Sequence, residues 1–427
     1  MSEDCVILGA GLTGLGAASV TPTAIIYEQH DGPGGHVRSH EFGGVHFDEG
    51  AHICHAKDPA WREQLTRHAG RIVEVSQSRV ASYWHGHWLT YPVQNHLRDL
   101  PKPERSRALE ELLAAQKANA NRRPANYAEW VRYQYGDFLA ENFYRAYTNK
   151  YWRTPMEAMD TDWLSGRLLP AQLETIIRGA HEQQDEKQSV FSSFLYPEKG
   201  GFFAFFSPFA RGVEIRTGAR LVDLDLQEKR LRFADGRTVG YERLISTIPL
   251  PDLVAATRSA PASIASSARA LRHTQLLCVD MIVDRPHLSP YHWFYIYDEE
   301  FEVSRVKVMS NVTPEGCPAN TTVLQTEIFR RDDEMLDAKA LEKSAVEEMG
   351  RLLGFDPVRD VRVSGSTRSS HAYPIPTLGR AATVSTIADW YENQGVVTAG
   401  LYGRWKYMWS DQAFAAGREA ARTAFES

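Results

Sequence analysis

Two glycine-bearing turns near opposite ends of the chain have the residue types and spacing to hold a phosphorylated cofactor. The first is Gly9-Ala10-Gly11-Leu12-Thr13-Gly14, set between the apolar run Cys5-Val6-Ile7-Leu8 and a short helical stretch ended by Pro22. A second apolar run, Ala24-Ile25-Ile26-Tyr27, closes on Glu28. In a strand–turn–helix of this kind the first glycine permits the tight turn and the second lets the backbone approach a pyrophosphate. The third lets helix and strand pack closely. Gly9, Gly11, Leu12, Thr13 and Gly14 are therefore candidate cofactor contacts. Glu28, 19 residues past Gly9, is placed to accept hydrogen bonds from an adenosine ribose. The glycine pattern alone is weak; strand, helix and acid together make it specific. At the other end, Gly395-Val396-Val397-Thr398-Ala399 runs into Gly400-Leu401-Tyr402-Gly403-Arg404-Trp405-Lys406-Tyr407 and then Asp411-Gln412-Ala413-Phe414. Strand, glycine turn and helix start in that order make a site for an anion or a flavin edge. Gly400, Leu401, Tyr407, Asp411 and Gln412 are its candidate contacts. Two such turns imply one dinucleotide gripped by a domain that the chain leaves and re-enters.

The elements between the turns support that layout. Residues 71–84 hold two strand-like runs around Ser76-Gln77-Ser78, and residues 100–190 carry helical spacing, as in Leu109-Glu110-Glu111-Leu112-Leu113. Short strands return over 211–247, with Ala234-Asp235-Gly236-Arg237 as a hairpin turn. Residues 273–330 are strand-rich, a helix is expected near 337–354 and a strand near 359–368. The expected class is α/β: a Rossmann-like domain built from discontinuous segments, a helical insertion and an antiparallel substrate sheet. The segments are 1–90, 191–268 and 366–427 for the cofactor domain, 91–190 for the helical cap and 269–365 for the sheet.

Bulk properties exclude several classes. With 48 basic against 54 acidic residues and no basic block, nucleic acid is not an expected partner. Cys5, Cys54, Cys278 and Cys317 show no metal-ligand or disulfide spacing, so no metal site is expected. The start Met1-Ser2-Glu3-Asp4 is acidic and no run of 18 apolar residues exists, so the expectation is a cytoplasmic protein with no membrane span.

The segment after the second strand distinguishes between dinucleotides. Gly34-Gly35-His36-Val37-Arg38 and then Phe47-Asp48-Glu49-Gly50-Ala51-His52 follow almost at once. This resembles FAD proteins of the amine oxidase and protoporphyrinogen oxidase type, in which a glycine pair backs the diphosphate and a Gly-x-His turn lies near the flavin. Gly34, Gly35, Arg38 and His52 are the matching positions, with Arg38 able to pair with a diphosphate. Further motifs extend the resemblance over the whole chain: Tyr91-Pro92-Val93-Gln94-Asn95, Lys150-Tyr151-Trp152, Trp163-Leu164-Ser165-Gly166-Arg167, Tyr196-Pro197-Glu198-Lys199-Gly200-Gly201, His292-Trp293-Phe294-Tyr295, Ser304-Arg305-Val306 with Ser310-Asn311, and Tyr373-Pro374-Ile375-Pro376-Thr377-Leu378. Together they resemble the UDP-galactopyranose mutases, particularly the eukaryotic type. The resemblance implies that Arg167, Arg305, Tyr373 and Tyr407 grip a substrate diphosphate, that Tyr91 and Gln94 lie near the nucleotide and Tyr295 near the sugar, and that His52 sits under the flavin. Guanidinium forks and phenol hydroxyls suit a nucleoside diphosphate.

The implied reaction is a pyranose–furanose isomerisation of a nucleotide sugar. N5 of the reduced flavin attacks the anomeric carbon and expels the nucleoside diphosphate, with Arg167, Arg305 and His52 as the catalytic set. FAD would be active only when reduced, by NAD(P)H or another reductant. Two positions depart from the pattern. Leu401 stands where the mutases carry an arginine near the flavin, and Asp411 where they carry an asparagine. The alternative is an FAD-dependent oxidoreductase of the amine or protoporphyrinogen oxidase type, which Leu401 and the aromatic content (10 Trp, 18 Tyr, 18 Phe) favour.

Overall fold

The opening βαβ unit consists of β1 (Ser2–Leu8), α1 (Leu12–Ala18) and β2 (Ala24–Tyr27). The last four residues of β1 are all buried, as a strand covered on both faces requires. In the computed structural model, which describes residues 2–55, 58–67, 69–119, 122–165, 167–168, 170–183 and 193–426, this unit is the centre of a mixed sheet. β1 pairs in parallel with β2 on one side and with Thr238–Ser246 on the other. Glu214–Arg216 extends the sheet beyond β2, and Val396–Thr398 adds in parallel to Thr238–Ser246. Arg230–Phe233 and Leu221–Asp225 complete it as antiparallel strands, and the expected turn at 234–237 joins Arg230–Phe233 to Thr238–Ser246. Segments from the start, middle and end of the chain thus share one sheet. The fold class is α/β, with a Rossmann-like domain of discontinuous segments.

The closing helix, Ser410–Glu426, crosses α1 at backbone contact. A Cβ added at Gly16 would lie 2.1 Å from the Phe414 carbonyl oxygen, and one at Gly417 1.9 Å from that of Thr13. Only hydrogen side chains allow this approach, which brings the last segment beside the first glycine turn.

The second sheet runs in the order Val361–Pro374, His273–Val283, Thr322–Arg331, Arg305–Val308, Trp293–Ile296, Val80–Trp84, His87–Thr90. It is antiparallel except where Trp293–Ile296 meets Val80–Trp84. Residues 80–90, read from sequence as part of the first cofactor segment, therefore hydrogen-bond into the substrate sheet. Val361–Pro374 runs on for 14 residues through the expected division at 365/366. Pairing partners, not strand propensity, decide which sheet a strand joins, and a parallel partner must lie far away in sequence. The expected helical block holds Lys102–Asn119, Tyr127–Leu139, Ala146–Tyr151 and Leu173–His181. Gly166 and the division at 190/191 lie outside the described residues. Among the described residues no helix is long and apolar enough to cross a membrane.

Candidate functional site

Both sheets contribute to the wall of a cavity of about 880 Å³. Part of that wall is the first glycine turn, with Gly9, Gly11, Leu12, Thr13, Glu28, Gly34 and Gly35. Gly9 has φ +95°, open only to glycine at low cost. Gly14 does not line the cavity; a Cβ there would sit 1.9 Å from the Gly9 carbonyl oxygen, so its role is to let α1 close onto the turn. The glycine pair packs against this turn: Gly34 N–H donates to the Ala10 carbonyl at 2.8 Å, and a Cβ on Gly35 would reach 3.0 Å from Gly11 Cα. The buried Glu28 carboxylate accepts the N–H groups of Ala10 at 2.7 Å and His30 at 2.9 Å. That fixes its orientation and leaves lone pairs for ribose hydroxyls. Val222 also lines the cavity, as the extra residue at a register shift between Leu221 and Asp223. A bulge leaves no mark in sequence, and Val222 was not foreseen. Arg38 lines the wall but is tied to the Gly35 carbonyl at 3.1 Å and to Glu49 at 3.3 Å. Burial works to raise the Glu49 pKa, yet His36 and Arg38 hold it at about 2.

Another stretch of wall carries His52, Tyr295, Arg305, Lys307, Tyr373, Leu401 and Tyr407. Burial holds the His52 imidazole down at about 4, against the pull of Asp48, so it is neutral near pH 7. Its ring stacks on Phe202 with centroids 5.1 Å apart, and its Nδ1 is buried without a partner among the described residues. Tyr373 and Tyr407 stack face to face at 5.4 Å, and the Arg167 guanidinium lies 3.7 Å over the Tyr407 ring. Burial raises the Tyr407 phenol, and Tyr373 adds to this, while Arg167 and Arg305 both pull it down. Both guanidinium groups are therefore within electrostatic reach of one phenol, although they come from distant parts of the chain.

The arginines differ in what else they touch. Arg167 makes no ion pair among the described residues, and its Nε is buried without a partner. Arg305 forms a fork with Glu327, with Nε at 2.7 Å and Nη2 at 2.8 Å, across the strand pair that sets them opposite. Glu327, which sequence reasoning missed, also accepts the Ala51 N–H at 2.7 Å.

Arg167 and the remaining candidates are not among the residues that line the cavity. Tyr91 stacks on Tyr295 at 4.8 Å, behind the lining ring, and Gln94 is half-buried in the short turn Val93–Asn95. Gly400 seats the last turn on the first, where a Cβ would come within 2.2 Å of Thr13 Oγ1. Asp411 and Gln412 are exposed, and the Gln412 side chain accepts the Trp409 N–H at 3.0 Å. That is the reciprocal half of a capping box, which occupies Gln412 in starting the closing helix. Met408, Trp409, Ser410 and Ala413 line the cavity from this segment in their place.

The sequence profile described as flavin-containing amine oxidoreductase matches residues 13–424, nearly the whole chain. The chain belongs to the flavin-containing amine oxidoreductase family. Its cofactor is FAD, and the residues fit it: a close-approach glycine turn, a fixed carboxylate on the cavity wall and a cavity shared with a second sheet. A reduced UDP-galactopyranose mutase superposes with TM-score 0.90 at 24% identity, covering 100% of this chain and 94% of the other. A candidate protoporphyrinogen oxidase from Exiguobacterium sp. 255-15 gives 0.76 at 18% identity, with 100% of both chains covered. A redesigned putrescine oxidase gives 0.64 at 13% identity, again over 100% of both. At these identities the likenesses concern the fold that this oxidoreductase family shares.

Proposed function

We propose that the chain is an FAD-dependent pyranose–furanose mutase acting on a nucleotide sugar. The observation that carries this reading is the shared reach of Arg167 and Arg305 onto Tyr407. An apolar substrate has no use for Arg167, which has no ion-pair partner among the described residues, since burying a charge without a counter-ion is costly. Reduced FAD, regenerated by a nicotinamide or other reductant, supplies the nucleophile that displaces the diphosphate from the anomeric carbon, without net redox change. Arg167, stacked on Tyr407 and without an ion-pair partner among the described residues, offers its donors to the departing diphosphate. Tyr373 and Tyr407 add hydroxyls on the same wall. His52 stays uncharged on the cavity wall. A cytoplasmic location suits a reaction drawing on nucleoside diphosphate sugars and a nicotinamide reductant.

A second reading, an FAD-dependent oxidoreductase, is favoured by a different observation. Arg305 is already neutralised by Glu327, and aliphatic Leu401 with Tyr295, Tyr373 and Tyr407 makes much of the nearby wall apolar or aromatic. An anaerobic assay, with an aerobic oxygen-uptake assay beside it, separates the two. With the flavin reduced by dithionite, UDP-, TDP- and GDP-sugars are offered and the products separated chromatographically. Ring-contracted sugar nucleotide is the expected outcome. Oxygen uptake with an amine or a porphyrinogen, and no isomerisation of any sugar nucleotide, would establish the second reading instead.

A further inference from the structure

Tyr402 stands in the last glycine turn and lines the cavity, yet neither reading of the reaction assigns it a task. Its hydroxyl donates to two backbone carbonyls at once, that of His371 at 2.7 Å and that of Ala372 at 2.8 Å. Burial pushes its phenol well above the usual range, and Tyr373, Glu49 and Tyr407 add to this, so the shared proton stays in place. The Tyr402 ring also packs against His36, beside the glycine pair, with centroids 5.0 Å apart.

The two carbonyls lie at a break in the ladder of Val361–Pro374. Ser369 pairs with Leu276 and Tyr373 with Thr274, so Ser370, His371 and Ala372 stand opposite the single residue Gln275. Bulged residues lose their ladder partners, and the strand bends where they sit. Here the His371 ring stacks on His273 at 4.1 Å, and Tyr402 donates to the bulged backbone. Every residue from Arg368 to Tyr373 lines the cavity, where an unbroken strand would turn alternate side chains away. Tyr373 is the first residue paired after the bulge, and a slip of one residue would turn its ring to the opposite face. We infer that Tyr402 is a positioning residue that pins this bulge and thereby sets Tyr373 parallel to Tyr407. Those two rings stack at 5.4 Å and 5° although they come from separate segments. Both segments meet at Tyr402: Tyr407 follows it along the chain, and Tyr373 follows the two carbonyls that it holds. The last cofactor turn and the substrate strand are fixed to each other by one hydroxyl.

The test uses FAD-loaded protein, first without substrate and then with UDP as the probe. Tyr402→Phe removes the hydroxyl and keeps the ring against His36. Amide hydrogen exchange, read by mass spectrometry, is expected to be about tenfold faster across 369–374 in this variant and unchanged across 9–14. Calorimetry is expected to show UDP bound about threefold to tenfold more weakly by Tyr402→Phe, and by Tyr373→Phe to a similar degree. The double variant is expected to bind no more weakly than Tyr373→Phe alone, because Tyr402 acts through that ring. The UDP measurement rests on the mutase reading, and the exchange measurement does not. A wild type that ignores UDP would sink that reading and leave the exchange rates to decide on Tyr402. Unchanged exchange across 369–374 in Tyr402→Phe would overturn the proposal. So would losses of UDP affinity that add in the double variant, or faster exchange at wild-type affinity, since Tyr402 would then serve the strand alone.

Discussion

Arg305 is engaged with Glu327, whereas Arg167 has no ion-pair partner among the described residues. The two should therefore respond differently to truncation. On the proposed function, Arg167→Ala removes one charge-assisted contact to the diphosphate and leaves no other ion-pair partner among the described residues uncompensated. It is expected to weaken UDP binding by roughly 10–100-fold, from about 1.5–3 kcal/mol per such contact, with FAD retained. Calorimetry on the loaded protein measures this, and unchanged affinity would remove Arg167 from the site. Arg305→Ala leaves Glu327, 1% exposed, without its counter-ion. The expected cost is about 3–5 kcal/mol of stability in addition to lost binding. Replacing both with leucine should restore most of the melting temperature while UDP binding stays lost. Wild-type affinity in that double variant would show that Arg305 serves the sheet and not the ligand. Sequence motifs could point to Arg305 but not to Glu327, because the partner lies 22 residues on and is chosen by strand register.

Helix Ser410–Glu426 and α1 must touch at backbone level for the last segment to reach the first glycine turn. A side chain at Gly417 would meet the Thr13 carbonyl at 1.9 Å. Gly417→Val is expected to push the closing helix away, opening the cofactor wall at Leu401 and Tyr407. FAD content per chain, read by absorbance, should fall severalfold, while far-ultraviolet circular dichroism stays near wild type. A yellow, fully loaded variant would refute this view of the crossing. At this scale much was legible in sequence. β2 starts and stops where its apolar run does, the hairpin turn at 234–237 is in place, and the helix expected near 337–354 is Ala338–Leu353. The membership of Val80–Trp84 was not legible, since its parallel partner Trp293–Ile296 lies some two hundred residues away. Nor was the use of Gln412 as a cap, since a residue near a helix start can serve a ligand or the backbone and only the coordinates separate the two.

Taken whole, the molecule buries several groups in one protonation state. Burial holds His52 and His292 at about 4, and His292 Nδ1 accepts the Arg79 N–H at 2.8 Å, which protonation would abolish. An unfolded histidine binds its proton near 6.5, so between about 6.5 and 4 the unfolded chain binds more protons than the fold. Stability from these residues is therefore complete above 6.5 and falls as pH drops through this window. Each histidine contributes a loss on the order of 1–2 kcal/mol by pH 5. Thermal melts at pH 7 and pH 5 should show a lower midpoint at pH 5, and His292→Asn should flatten the dependence; a midpoint that rises toward pH 5 would contradict it. What the sequence alone determined here are the local features: which backbone turns admit a pyrophosphate, where the acid for a ribose stands and which runs become strands or helices. Those follow from neighbours a few residues apart, whose sterics and periodicity are written in order along the chain. Only the tertiary structure decided that Glu327 neutralises Arg305, that Lys307 bridges Asp48 and the His52 carbonyl and that two distant guanidinium groups reach one phenol. Such facts depend on strand register and helix crossing, where a shift of one residue turns a side chain to the opposite face.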